Sequence, residues 1–188
     1  MRILGVLIVL ACIAVTQARA QVVALGASNV RGAVPAAEAW PTLLEGQLHA
    51  KGFSVSVSNQ GIFGDTSDGM LARLDSAAPQ GTRVVILACC GNDNRNAQKV
   101  VFNTDGNVTE MVKRLRARGI SVVFLGPPTL GEVASRSGAR YCGRILAGVS
   151  AEHHVGGSGH GGFHADAEGN AIIAAHVLPC VIAALQTK

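Results

Sequence analysis

From position 22 onward, short apolar runs alternate with longer stretches in which apolar residues recur every three or four positions. Residues 22–25 and 84–88 are unbroken apolar runs, the pattern of strands covered on both faces, and residues 121–125 read the same way. In residues 54–58, Val55 and Val57 alternate with polar neighbours, which predicts a half-buried strand. Between these lie helical periods. Residues 37–50 place Trp40, Leu43, Leu44 and Leu48 on one face, and Lys51-Gly52 ends the stretch. Residues 67–77 carry Met70, Leu71 and Leu74, and residues 104–118 form a helical stretch closed by Gly119. Residues 137–147 read as a short helix, and residues 167–185 as a closing helix with Ile172, Ile173, His176, Val177 and Val181 in period.

Strands alternating with helices predict βαβ units, hence an α/β protein of three layers, α/β/α. The expected sheet is parallel and flavodoxin-like, with about five strands. Four strands are visible, and residues 148–155 are the room left for a fifth. Ligands of such a sheet bind beyond the carboxyl ends of the strands. That directs attention to the loops starting at Gly26, Asn59, Gly91 and Gly126.

The first twenty residues break the pattern. Met1-Arg2 is a short positive start, residues 3–15 are apolar, and Ala18-Arg19-Ala20 is an A-x-A site. This reads as a signal peptide over 1–20, cleaved after Ala20, with export to the periplasm or medium and a single domain over 21–188. Processing before Cys12 is a weaker fit because apolar residues continue past that cysteine, and an uncleaved anchor because the apolar run is shorter than the ~20 residues of a membrane span.

Composition excludes several classes. Hydrophobic residues are 48% and charged residues 15%, which rules out a disordered chain. Of 16 basic residues, Arg2 and Arg19 leave with the leader, so 14 face 12 acidic ones. Lys113, Arg114, Arg116 and Arg118 fit the wet face of one helix, and aromatics are only 4%, so no nucleic-acid role is expected. After the leader the cysteines are Cys89, Cys90, Cys142 and Cys180. An oxidising compartment permits disulfides, but the spacing demands none; Cys89 and Cys90 end an apolar run, where buried free thiols are the simpler expectation. His153, His154, His160 and His164 cluster in a Gly-rich stretch, yet carboxylate support is thin, so neither a metal nor another cofactor is expected. Gly157-Ser158-Gly159-His160-Gly161-Gly162 satisfies a dinucleotide-binding pattern but follows no strand, and it is set aside. Asn107-Val108-Thr109 is a glycosylation sequon, relevant only to a eukaryotic secretory route.

Candidate chemistry sits in the loops. Gly26-Ala27-Ser28-Asn29 follows the first strand, residues 59–66 the second, and Gly91-Asn92-Asp93 the third, while Gly161-Gly162-Phe163-His164 precedes the last helix. Any one such serine or asparagine is most simply a cap or turn residue. Four such segments on one rim of one sheet point to a site instead.

These four blocks resemble, in order and spacing, those of the SGNH (GDSL-like) hydrolases, especially their bacterial thioesterase/lysophospholipase and arylesterase-like branch. Ala39-Trp40-Pro41-Thr42-Leu43-Leu44 resembles that branch too, and the resemblance spans roughly residues 22–185. It implies hydrolysis of a small-molecule carboxylic ester or thioester through an acyl intermediate on Ser28, with His164 as the base. It also implies an oxyanion hole from the backbone N–H groups of Ser28 and Gly64 and the side-chain amide of Asn92. No stable membrane span is implied. Two positions depart from the family: Ala27 and Gly161 stand where it has aspartates, the second being the acid that orients the histidine. A triad without its acid can survive as a Ser–His dyad, with a backbone carbonyl favoured to hold His164 and with His160 and Asp166 the nearest side chains in sequence. The alternative is a weak or inactive relative that binds an acyl or glycan ligand. Loops at 94–103 and 127–136 are the expected pocket walls.

Overall fold

The structure is a computed structural model that describes residues 21–96, 102–156 and 163–187. The expected leader over 1–20 lies outside these residues, as do the Gly-rich 157–162 with His160 and Gly161.

Five parallel strands form the sheet: β1 (Val22–Gly26), β2 (Val57–Gly61), β3 (Val84–Ala88), β4 (Ser121–Leu125) and β5 (Arg140–Tyr141), in the order β2-β1-β3-β4-β5. This is the flavodoxin-like order, and the three layers are those expected. β1 and β3 are buried along their whole length. Side chains alternate between faces along a strand, so one helical layer takes alternate residues and the other takes the rest. Val22, Ala24, Val84, Ile86, Val123 and Leu125 pack with Trp40, Leu44 and Leu48 of α2 (Trp40–Ala50) and with Ile173, Ala174 and Val177 of α8 (Ala167–Gln186). Val23, Leu25, Val85, Leu87 and Phe124 pack with α3 (Ser67–Ala72), α4 (Leu74–Ala77), α6 (Thr104–Ala117) and α7 (Pro128–Arg136). Each buried leucine or valine contributes roughly 1.5–3 kcal/mol of transfer free energy. α8 is long and apolar enough to cross a membrane by composition, but its Ile173, Val177 and Val181 are buried in the domain's own core.

Several elements differ from the sequence reading. The second strand is Val57–Gly61 rather than 54–58. It is an edge strand, half-buried throughout, so its place is set by backbone pairing with β1 and not by an apolar pattern. The fifth strand is not at 148–155 but at Arg140–Tyr141, inside the segment expected to be a helix. Residues expected as a wall loop at 127–136 form α7 instead, which begins with Pro128, a residue well suited to a first helical turn. Cys142 and Cys180 are disulfide-bonded and staple the chain after β5 to α8, a pairing that the spacing alone did not demand. Cys89 and Cys90 are both buried at the end of β3. The sequon residue Asn107 is buried, with its amide donating to Ser67 and Asp68, and so is closed to modification in the folded chain.

Candidate active site

β1 ends at Gly26, and Ser28 opens the single-turn helix α1 (Ser28–Arg31). Gly26 is required by close approach: a Cβ there would lie 2.5 Å from the Ala88 carbonyl oxygen on the neighbouring strand. The β1 and β3 ends therefore meet, and Ser28 comes to share a wall with α5 (Gly91–Asn96), the segment after β3. Their common cavity has a volume of about 230 Å³. Ser28, Asn29 and Asn92 are among its polar lining residues, and Ile145, Leu146 and Phe163 among its apolar ones. Arg144 is its one charged lining residue among those described. Of the expected wall loops, Pro127 alone reaches the cavity among the described residues, and Ile145 and Leu146 add apolar lining from another segment.

The β2–α3 loop is held against this cavity by polar contacts. Asn92 Nδ2 donates to the Asp65 carbonyl at 2.8 Å. The Asp65 carboxylate accepts from Arg73 Nε (2.9 Å) and Nη2 (2.6 Å), and Arg73 Nη2 also reaches the Gly26 carbonyl at 3.1 Å. One guanidinium thus ties the loop to the end of β1. Gly64, at the exposed turn of this loop, has φ +75°, where a side chain would be strained. Gly64 is not among the residues that line the cavity, though it adjoins Asp65. Asp93, almost fully buried, accepts from the Ser67 backbone N–H (2.9 Å) and the Thr104 hydroxyl (2.7 Å), and so locks α5 to the starts of α3 and α6.

His164 lies on β7 (His164–Ala165), which pairs antiparallel with β6 (His154–Val155). Its ring meets Phe63 edge-on, with centroids 6.4 Å apart, and its neighbour Phe163 lines the cavity. β7 also packs against α1. The three exposed large apolar residues among those described, Ile62 (48%), Phe63 (59%) and Phe163 (50%), all flank His164 or the loop facing it. Asp166 does not serve His164. Its Oδ1 accepts from the Gly169 N–H at 2.8 Å, capping α8, and its Oδ2 accepts from His153 Nδ1 at 3.1 Å. The Gly169 N–H and His153 hold the Asp166 carboxyl below its ordinary range, and the bond to Asp166 raises His153 above its own.

The comparisons decide the family. The model of the GDSL-like lipase/acylhydrolase family matches residues 24–157. This chain belongs to that family. It is accordingly a carboxylic ester hydrolase with the SGNH fold. The hydrolase is 30% identical to the esterase TesA of Pseudomonas aeruginosa over 137 residues, which are 70% of this chain and 68% of that protein. It is 31% identical to an arylesterase of Vibrio mimicus over 138 residues, again 70% and 68%. Among solved structures, it resembles the psychrotrophic esterase EstA of Pseudoalteromonas sp. with a TM-score of 0.75 at 18% identity, covering 88% of this chain and 98% of that one. It resembles the TesA crystal structure with a TM-score of 0.72 at 24% identity, covering 88% and 100%.

Ser28 and Asn92 of the hydrolase thus share one cavity, while His164 and Gly64 stand beside it on the segments carrying Phe163 and Asp65. Sequence reasoning assigned no part in the site to Arg73, Trp40 or Asn170. Arg73 reaches Gly26 and Asn170 reaches Trp40 across long sequence separations, which leave no local pattern.

Proposed function

We propose that the hydrolase is exported and cleaves acyl esters through an acyl-Ser28 intermediate. The observation that carries this reading is the single cavity shared by Ser28 and Asn92, with the His164 segment at its edge through Phe163. Ser28 Oγ attacks the ester carbonyl while His164 takes its proton, and a new O–C bond forms. The negative charge that grows on the carbonyl oxygen is met by the N–H groups of Ser28 and Gly64 and by Asn92 Nδ2. Each such donor is worth about 3–4 kcal/mol of barrier. Asn92 has two amide hydrogens, and one already binds the Asp65 carbonyl, so the other serves the oxyanion. His164 then protonates the leaving alcohol, and a water activated by the same imidazole releases the acid and restores Ser28. The apolar part of the acyl group lies against Ile145, Leu146 and Phe163.

Asp166 is occupied by His153 and the start of α8, which argues against Asp166 as the relocated acid. Export is supported by the leader-like start of the chain and by the Cys142–Cys180 bond, which belongs to an oxidising compartment. The test is p-nitrophenyl ester hydrolysis by purified protein, its Ser28→Ala and His164→Ala variants, and an expressing culture fractionated for activity. The reading expects turnover by wild type outside the cytoplasm and none by either variant. Full activity in Ser28→Ala would overturn the mechanism, and uncleaved cytoplasmic protein would overturn export.

A further inference from the structure

Two buried side chains join the segment carrying Ser28 to the segment carrying His164. Trp40 is fully buried, and its indole Nε1–H donates to the Asn29 carbonyl, the residue after Ser28, at 2.9 Å. The backbone N–H of Trp40 opens α2 and has no partner within its own helix, and the preceding Ala39 has no side-chain cap to offer. That N–H donates to Asn170 Oδ1 at 3.0 Å, across 130 residues of sequence. Asn170, also buried, uses both hydrogens of Nδ2: one to the Ala165 carbonyl at 3.0 Å and one to the Asp166 carbonyl at 2.8 Å. Ala165 is the residue after His164. The path therefore runs from the carbonyl following Ser28, through one tryptophan and one asparagine, to the carbonyl following His164.

This arrangement exceeds what packing requires. An apolar side chain at 170 would fill the space, but it would take these bonds from the Trp40 N–H and the Ala165 carbonyl, while the Asp166 carbonyl would keep only the backbone N–H of residue 170. The amide meets all three with its one acceptor and two donors.

We propose that Trp40 and Asn170 are positioning residues that together fix the spacing of Ser28 and His164. This rests on the assignment of those two residues to the reaction. Trp40→Phe keeps an aromatic ring in the core and removes the indole donor together with part of the ring volume, and the thermal melts report the packing loss. Asn170→Asp keeps the acceptor for Trp40 and removes both donors, turning carboxylate oxygen toward the two carbonyls. A displacement of about 1 Å at a reacting group costs on the order of 10²-fold in rate. Each variant should therefore lose about 10- to 100-fold in kcat, with KM within about twofold of wild type. The double variant should fall no further than the worse single one, since both cut the same path.

The measurement uses a p-nitrophenyl alkylphosphonate to titrate active sites, so that kcat is expressed per competent Ser28, followed by steady-state kinetics and thermal melts of all four proteins. A purely structural role would lower the melting temperature and the number of titratable sites while leaving kcat per site unchanged, and that result would overturn the proposal. So would multiplicative losses in the double variant. A wild type that is not labelled on Ser28 would instead overturn the catalytic assignment itself. Should Asn170→Asp yield no folded protein, Trp40→Phe alone carries the test: unchanged kcat per site refutes the path.

Discussion

The Asn92 side-chain amide and the Asp65 backbone carbonyl are joined by a hydrogen bond of 2.8 Å. The residue proposed to donate to the oxyanion is therefore also the one that tethers the loop carrying Gly64. Asn92→Ala should lower kcat by about 10²–10³-fold, the usual loss for one oxyanion donor. Asn92→Asp should be worse than alanine, because a carboxylate would face both the Asp65 carbonyl and the growing negative charge. Steady-state kinetics of the two variants on one activated ester checks the order. An aspartate variant more active than the alanine variant would contradict it.

Arg73 joins the Asp65 carboxylate to the Gly26 carbonyl, with both charged side chains largely withdrawn from water. Arg73→Leu would leave that carboxylate without its partner, at a cost on the order of 3 kcal/mol. Urea melts should show the loss in the midpoint. Adding Asp65→Asn to Arg73→Leu should recover part of it, because the stranded charge is then gone. A double variant no more stable than Arg73→Leu alone would contradict this.

The fold was legible where burial is complete on both sides of the sheet. β3 and β4 stand out as unbroken apolar runs because no face of either strand is open to water along its apolar stretch. β2 does not, since Ser58, Asn59 and Gln60 are held by the backbone of β1 and carry no apolar period. A two-residue strand such as Arg140–Tyr141 is too short to have a period at all. α7 was readable in principle, with Leu130, Val133 and Ala134 at helical spacing, but Pro127-Pro128 reads as a loop. Ser28, Asn92 and His164 stand out as candidates because each lies in a block whose order and spacing resemble a family's, and the structure places Ser28 and Asn92 on one cavity. The link between Trp40 and Asn170 was not, because a bond across 130 residues leaves no mark on local pattern.

The His153–Asp166 pair sets a pH window for stability. His153 is raised by its bond to Asp166, so its contribution is full below its unfolded value and fades as pH rises through the higher folded one. Asp166 is lowered, chiefly by the Gly169 N–H, so its contribution is full above its unfolded value and fades as pH falls through the lower folded one. The two overlap between roughly pH 4 and 6.5. Thermal melts of wild type and His153→Leu should differ most in that window and converge above it. A gap that widens toward pH 9 would contradict the pairing.

The Cys142–Cys180 bond closes a separation of 38 residues between the end of the sheet and α8. Its removal should cost about 2–4 kcal/mol. Cys142→Ala/Cys180→Ala should melt lower than wild type without reductant. Melting temperatures that coincide in oxidising buffer would show that the bond contributes nothing.

Covalent trapping tests the assignment of Ser28 most directly. Purified protein is treated with a p-nitrophenyl alkylphosphonate, released p-nitrophenolate is counted, and the adduct is located by intact mass and peptide mapping. One adduct per chain is expected, on Ser28, with one p-nitrophenolate released and ester hydrolysis lost in proportion. Inactivation with the label on any other residue, or full hydrolysis by protein labelled at Ser28, would contradict the account.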